Sequence, residues 1–167
     1  SSKDLEVDFI GCSEYVGIGF VPAANAQALV PTSYTLAGDA DNAIVVVRVV
    51  DCDGIAVDGK QPKAGKLAQI GITITGGDAT ADINNYTAWF ATDLGALKGK
   101  LTAAGVDADL DHLSFDFTPD GTGNGIIDID VTPPHAPHFA ADGTGAVPTS
   151  DPVPFTATWW FDGNHGT

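Results

Sequence analysis

Methionine is absent from the 167 residues, cysteine and glutamate occur twice each, and only seven side chains are basic. The chain opens Ser1-Ser2-Lys3-Asp4, without an initiator methionine, which predicts a mature chain whose leader has been cut away; removal of a single Met and a fragment of a longer chain are the plainer alternatives. Cys12 and Cys52, in an otherwise thiol-free chain, predict one disulfide and an oxidising compartment. The expected location is therefore secreted or periplasmic. The competing reading, a thiol nucleophile or metal pair, lacks both a Cys-x-x-Cys spacing and a histidine near either cysteine in sequence. Long apolar runs are missing too. The longest, Ala43 to Val50, is broken by Arg48 and falls far short of the roughly 20 residues a spanning helix needs, so no membrane insertion is expected.

The scarcity of bases excludes further classes. Twenty-two acids against seven bases leave a net charge of −15, which repels phosphate backbones and anionic membrane surfaces, so no nucleic-acid partner is expected. All the acids except Glu6 and Glu14 are Asp, a residue of turns and caps, so the acid mostly marks loops. Gly-x-Ser-x-Gly, a phosphate loop and a dinucleotide fingerprint are all absent, and no cofactor is implied.

What is present is β-prone sequence punctuated by 20 Gly and ten Pro. Leu5–Ile10 and Tyr15–Phe20 read as two strands. Ile44–Val50, β-branched and nearly continuous, reads as a central strand buried on both faces. Asp53-Gly54 is a tight-turn signal, with Ile55-Ala56-Val57 returning. Leu67–Thr75 reads as a strand closed by Gly76-Gly77-Asp78. Tyr86–Ala91, His112–Phe117, Ile126–Val131 and Phe155–Phe161 also read as strands. A short helix is expected over 22–29, opened by Pro22 and stopped by Pro31. An amphipathic helix is expected over 92–105: Thr92 or Asp93 can cap it, Leu94, Leu97, Leu101 and Ala104 recur at helical spacing, and Gly105 ends it. Pro133–Pro154 reads as a long surface loop. Together these predict a single β-rich α+β domain over residues 1–167. Its antiparallel sheet is expected to close as a barrel, since closure removes exposed edges.

Aromatic residues supply the candidate ligand site. Trp159-Trp160-Phe161 is the densest cluster, and alternation along a strand sends the two indoles to opposite faces. They form either a binding platform or a core residue beside a barrel-exterior one. Trp89, Tyr15 and Tyr86 complete the set of candidate ligand-binding residues: Tyr15, Tyr86, Trp89, Trp159 and Trp160. Asp120-Gly121-Thr122-Gly123-Asn124-Gly125-Ile126-Ile127-Asp128 resembles part of a calcium loop, with Asp120, Asn124 and Asp128 as candidate ligands. Val131 at the twelfth position supplies no carboxylate, and a Gly-rich hairpin turn explains the segment equally well. Asp107-Ala108-Asp109-Leu110-Asp111 lacks the turn glycine. The prolines around His135 and His138 forbid the helix that would let this pair share a zinc ion, which leaves a loop metal site as the alternative. Asn85-Tyr86-Thr87 is a glycosylation sequon or a turn entering a strand.

Two segments resemble the acetoacetate decarboxylase-like family. Tyr86-Thr87-Ala88-Trp89-Phe90-Ala91-Thr92-Asp93, followed by the helix and Gly105, is similar to an apolar strand that ends in an Asp-containing turn before a helical stretch. Phe20-Val21-Pro22 through Val30-Pro31 resembles the opening of that family. The resemblance spans about 90 residues and implies a cone-like β-barrel with an interior pocket for a small organic molecule. It also implies a Schiff-base lysine, which does not carry over. Gly105 is followed here by Val106-Asp107-Ala108-Asp109, and Lys98 and Lys100 lie earlier, on the expected helix.

The expected function is a secreted protein that binds an apolar or aromatic small molecule in a β-barrel pocket. A decarboxylase-like or lyase-like enzyme is the alternative, drawing acid and base groups from clustered carboxylates, Glu14, Tyr15 or His112. A cell-surface structural or assembly protein, with oligomerisation left open, is the third.

Overall fold

The computed structural model describes residues 5–75, 82–132, 138–146 and 157–162. Its elements run β1 (Val7–Pro22), α1 (Ala23–Gln27), β2 (Thr35–Leu36), β3 (Asn42–Val57), β4 (Lys63–Thr75), β5 (Ile83–Thr92), α2 (Gly95–Ala104), β6 (Ala108–Leu110), β7 (Leu113–Pro119), β8 (Asn124–Val131), β9 (Phe139–Ala146) and β10 (Ala157–Trp160). Seven strands form one sheet along the path β1-β3-β4-β5-β10, with β2 on β4 and β6 on β5; β7-β8-β9 form a second, three-stranded sheet. The β-rich α+β class read from the sequence is observed.

Strand β3 organises the molecule. Antiparallel neighbours β1 and β4 flank it, which makes it central. Successive side chains point to opposite faces of the sheet. Val49 therefore packs with Ala68, Trp89 and Ala91 under Leu113, Ile129 and Val131 of the small sheet. Val50, one residue on, packs with Leu67 and Phe90 under Leu97 of α2. Two layers thus need apolar residues at consecutive positions of one strand, which is why the run Ile44–Val50 does not alternate. A third cluster joins Ala26 and Val30 to Ile72, Ile74, Tyr34, Tyr86 and Trp160. Each large aliphatic side chain fully buried in these layers contributes about 1.5–3 kcal/mol of transfer free energy.

The small sheet shows one-sided alternation. Leu113, Phe115, Ile127, Ile129, Val131, Phe139 and Ala141 face the large sheet. By alternation the other face carries Ser114, Asp116, Asp128, Asp130 and Asp142. Asp128 lies directly opposite Asp116 on one side and Asp142 on the other. Like charges directly opposite one another destabilise a sheet. Asp128→Asn should therefore raise the thermal midpoint by roughly 1–3 °C at low salt, by relieving both contacts. Scanning calorimetry at two ionic strengths checks this, because screening should shrink the gain.

Several local expectations are corrected. Leu5–Ile10 and Tyr15–Phe20 are not separate strands but parts of the 16-residue β1. Gly11 lets the strand continue: its φ is +59°, and a Cβ there would collide with the Asp53 carboxylate. Asp53-Gly54 does not turn the chain; it continues β3, where Gly54 lies opposite Ile10. The turn falls one Asp-Gly pair later. Asp58 and Gly59 have φ of 52° and 67°, and Lys60 N–H donates to the Val57 carbonyl at 3.2 Å, the positive-φ turn that suits a twisted hairpin.

The helix expected over 92–105 spans Gly95–Ala104. Neither proposed cap residue stands at its N-cap, which is Leu94, because both side chains are tied to β4. Thr92 Oγ1 donates to the Lys66 carbonyl at 2.8 Å, and Asp93 Oδ1 accepts from Lys66 N–H at 2.8 Å. Gly105, at φ 100°, does close the helix. The helix expected over 22–29 is shorter, Ala23–Gln27. The stretch read as a long loop, Pro133–Pro154, contains β9. Gly76-Gly77-Asp78 lies outside the described residues.

The sheet does not close into a barrel. It curls as a half-barrel whose described ends are β1 and β10. One reason lies at β5. Its far side carries two short parallel strands, β10 along Ile83–Tyr86 and β6 along Phe90–Thr92, in place of one long strand that would carry the sheet round.

Candidate functional site

At the β1 end of the large sheet, the strand and the small sheet diverge and leave a cleft of about 410 Å³. Cys12, Ser13, Glu14 and Tyr15 form one wall; Phe115, Phe117, Ile127, Gly145 and Ala146 form the other. The apolar wall follows from alternation in β7 and β8. Leu113 and Ile129 fill the interior, and Phe115, Phe117 and Ile127, farther along the same face, reach beyond it. Glycine makes this wall smooth. A Cβ at Gly125 would collide with the Phe117 ring, and one at Gly145 would stand 2.8 Å from Ile127 Cδ1.

The Cys12–Cys52 disulfide is present, joining directly opposed residues of β1 and β3 with Cα atoms 4.0 Å apart. It pins the cleft wall to the sheet. Glu14 is held from the side. Arg48 Nε donates to its Oε1 at 2.7 Å and Arg48 Nη2 to its Oε2 at 3.2 Å, while Arg48 Nη1 donates to Oε1 of the buried Gln69 at 2.8 Å. The guanidinium also lies 5.8 Å from the Phe9 ring centroid. Two parallel donors fix a carboxylate's orientation as well as its charge. By strand alternation Glu14, opposite Val50, points with Arg48 to the α2 face of the sheet, so the side chains that β1 turns toward the small sheet are Ser13 and Tyr15.

The five aromatic residues singled out from sequence fall in different places. Tyr15 lines the cleft. Trp89 is 5 % exposed in the core beneath it; its Nε1 donates to Asp109 Oδ2 at 3.0 Å, and its ring meets Phe139 edge-on at 6.5 Å. Tyr86 and Trp160 flank Tyr34, with ring centroids 5.4 and 6.3 Å from it, in the cluster by α1. Burial, and secondarily the charge of Asp162, raises the pKa of Tyr34 and of Tyr86 above the ordinary phenol value. Trp159 lies against Gly71, where a side chain would strike the indole. Phe115, Phe117, Ile127, Gly145 and Ala146 were not singled out. The alternation in β7 and β8 was a signal for the first three, whereas Gly145 and Ala146 lie in sequence that reads as loop.

The other candidates resolve as follows. Asp120 Oδ1 accepts from Thr122 N–H at 2.8 Å and Thr122 Oγ1 at 2.7 Å, closing the β7–β8 turn. The hydrogen bonds from the Thr122 side chain, then its N–H, lower the Asp120 pKa. Asn124 Nδ2 donates to Thr122 Oγ1, and Asp128 stands four residues along β8. Among the described residues, no group of three His, Cys, Asp or Glu side chains is placed to hold a metal ion. Asn85 is 2 % exposed within β5, where its Oδ1 accepts from Thr73 Oγ1, so the sequon is closed to modification in the folded chain. His112 is exposed between β6 and β7, and His138 Nε2 lies 3.5 Å from Asp130 Oδ2. His135 lies outside the described residues. Of the lysines, Lys66 pairs with Asp51 and Lys100 with Asp58; among the described residues no lysine is buried.

No family model matches the chain, and no curated protein is significantly similar to it in sequence. Solved structures are similar to it in fold. An acetoacetate decarboxylase superposes with a TM-score of 0.53 at 10 % identity, over 75 % of this chain and 46 % of its own. The acetoacetate decarboxylase of Legionella pneumophila superposes with 0.52 at 10 % identity, over 74 % and 44 %. The chain has an acetoacetate decarboxylase-like fold. That likeness, resting on these two structures, agrees with the family resemblance read from residues 20–31 and 86–105. An acetoacetate decarboxylase-like enzyme from Sphingomonas wittichii RW1 scores 0.46 at 13 % identity, over 74 % and 56 %. The chain spans less than half the length of the two decarboxylases it matches.

Proposed function

We propose that this chain is a secreted or periplasmic protein that binds a small apolar or aromatic molecule in the cleft between β1 and the small sheet. The observation that carries this reading is the cleft lining: Tyr15, Phe115, Phe117 and Ile127 around about 410 Å³. A volume toward the small end of the roughly 300–1,000 Å³ of ligand sites suits a one- or two-ring compound. The disulfide supports the oxidising location. A decarboxylase-like enzyme has the fold likeness in its favour. Schiff-base chemistry would need a desolvated lysine, and every described lysine is exposed or half-buried.

The test uses the uncharged probe N-phenyl-1-naphthylamine and a variant that fills the cleft. Ser13 lines it from an exposed position on the Tyr15 face of β1, so Ser13→Trp should fold normally. Probe fluorescence should rise on binding to the wild type, and Ser13→Trp should weaken binding at least about tenfold. Equal binding by both proteins would place the probe elsewhere and overturn the assignment.

A further inference from the structure

Strand β1 pairs on one side with β3 over its whole length, and among the described residues no strand pairs with its other side. Natural edge strands are commonly blunted by charge, shortness or cover. This one is 16 residues long, and from Tyr15 to Pro22 it carries no charged side chain in a chain of net charge −15. Val16, Ile18 and Phe20 alternate along one face there and are 50, 71 and 72 % exposed. Gly17 and Gly19 stand between them, and on their face the Tyr15 ring lies over Gly17.

We infer that the outer edge of β1 between Val16 and Phe20 pairs antiparallel with the same edge of a second copy, extending the sheet across a two-fold axis at Ile18. Four features favour a second copy over another partner. Antiparallel pairing about Ile18 is self-complementary, as a two-fold contact requires. It sets Ile18 against Ile18 and each small Val16 against the large Phe20 of the other copy, all on one face. The glycines meet glycines, so the backbones approach without side chains between them. The acids of β1 fall outside the stretch: Glu14 would lie opposite Pro22, and Asp8 lies beyond it. In so acidic a chain, this is a place where two copies meet without setting carboxylate against carboxylate.

The contact is modest. Covering these side chains buries on the order of 400 Å² per copy, about half the roughly 800 Å² per partner of a standard interface. The dimer is therefore weak, and salt strengthens it by screening two strongly negative bodies. The inference is independent of the ligand cleft, which lies along Cys12–Tyr15 and faces the small sheet.

Sedimentation equilibrium over a concentration series should show the average mass of the wild type rising from one chain toward two, more steeply in roughly 0.5 M than 0.05 M NaCl. In the dimer, amide hydrogen exchange should slow selectively over Val16–Phe20. Ile18→Asp places two carboxylates at the axis and should leave a monomer at every concentration. The side chain is exposed, so circular dichroism should be unchanged. Leu29→Asp, at another exposed apolar position away from β1, should dimerise like the wild type. A wild type that stays monomeric throughout overturns the inference. So does an Ile18→Asp variant that dimerises equally.

Discussion

Replacing both cysteines by alanine should lower stability by about 4 kcal/mol, and the thermal midpoint by roughly 10–15 °C. The bridge spans a sequence separation of 40 residues, closing most of β1, α1, β2 and most of β3 into one loop. Without it the unfolded chain regains the freedom of that loop, which in the chain-entropy account supplies most of the loss. The folded state also changes. Cys52 is 3 % exposed in the cluster under α2, so alanine leaves a small gap there. Cys12 lines the cleft, and the bridge is the covalent tie between that wall and β3. A reducing agent added to the wild type should reproduce the shift. Calorimetry of the wild type, the reduced wild type and the double variant checks this; a shift below about 3 °C would show that the fold does not depend on the bridge.

Trp89→Ala should cost about 3–5 kcal/mol, the range for removing a large buried aromatic residue. Three contacts end with it. Its ring fills the layer between the sheets with Val49, Ala91 and Leu113; it meets Phe139 of β9 edge-on; and its indole N–H ties β5 to Asp109 on β6. Trp89→Phe keeps most of the ring and loses the hydrogen bond, so it should cost about 1–2 kcal/mol. Urea unfolding of the three proteins measures both values. If Trp89→Ala unfolds like the wild type, the packing of the small sheet on the large one is not what holds the two together. The same probe separates core from site: Trp89→Phe should leave probe binding in the cleft nearly unchanged, whereas Ser13→Trp should abolish most of it.

Trp89 also shows where sequence reading stops. Its strand, Tyr86–Ala91, was legible, and the observed β5 contains it. That its indole faces the interior was not, because an aromatic residue on a strand serves a core or a platform equally well until the opposite layer is known. The same holds for Tyr15 and Trp159. Phe115 and Phe117 were passed over because they look like ordinary members of an alternating strand. Only the divergence of the small sheet from β1 turns their face into a wall.

By itself the sequence determined the β-rich class, the disulfide, most strand positions and the C-terminal stop of α2 at Gly105. These depend on local chemistry: alternation, β-branching, turn glycines and cysteine count. The decarboxylase-like fold was legible only through resemblance to a known family. Tertiary structure decided which of two Asp-Gly pairs turns, because Gly54 is held in the β1–β3 ladder and Gly59 is free to reverse the chain. It decided that Thr92 and Asp93 hold β4 and leave the N-cap of α2 to Leu94, since those side chains meet Lys66 first. It also decided that the sheet stops at a half-barrel. Closure requires two edges to meet in register, and no local pattern records whether β5 is flanked by one long strand or, as here, by two short ones.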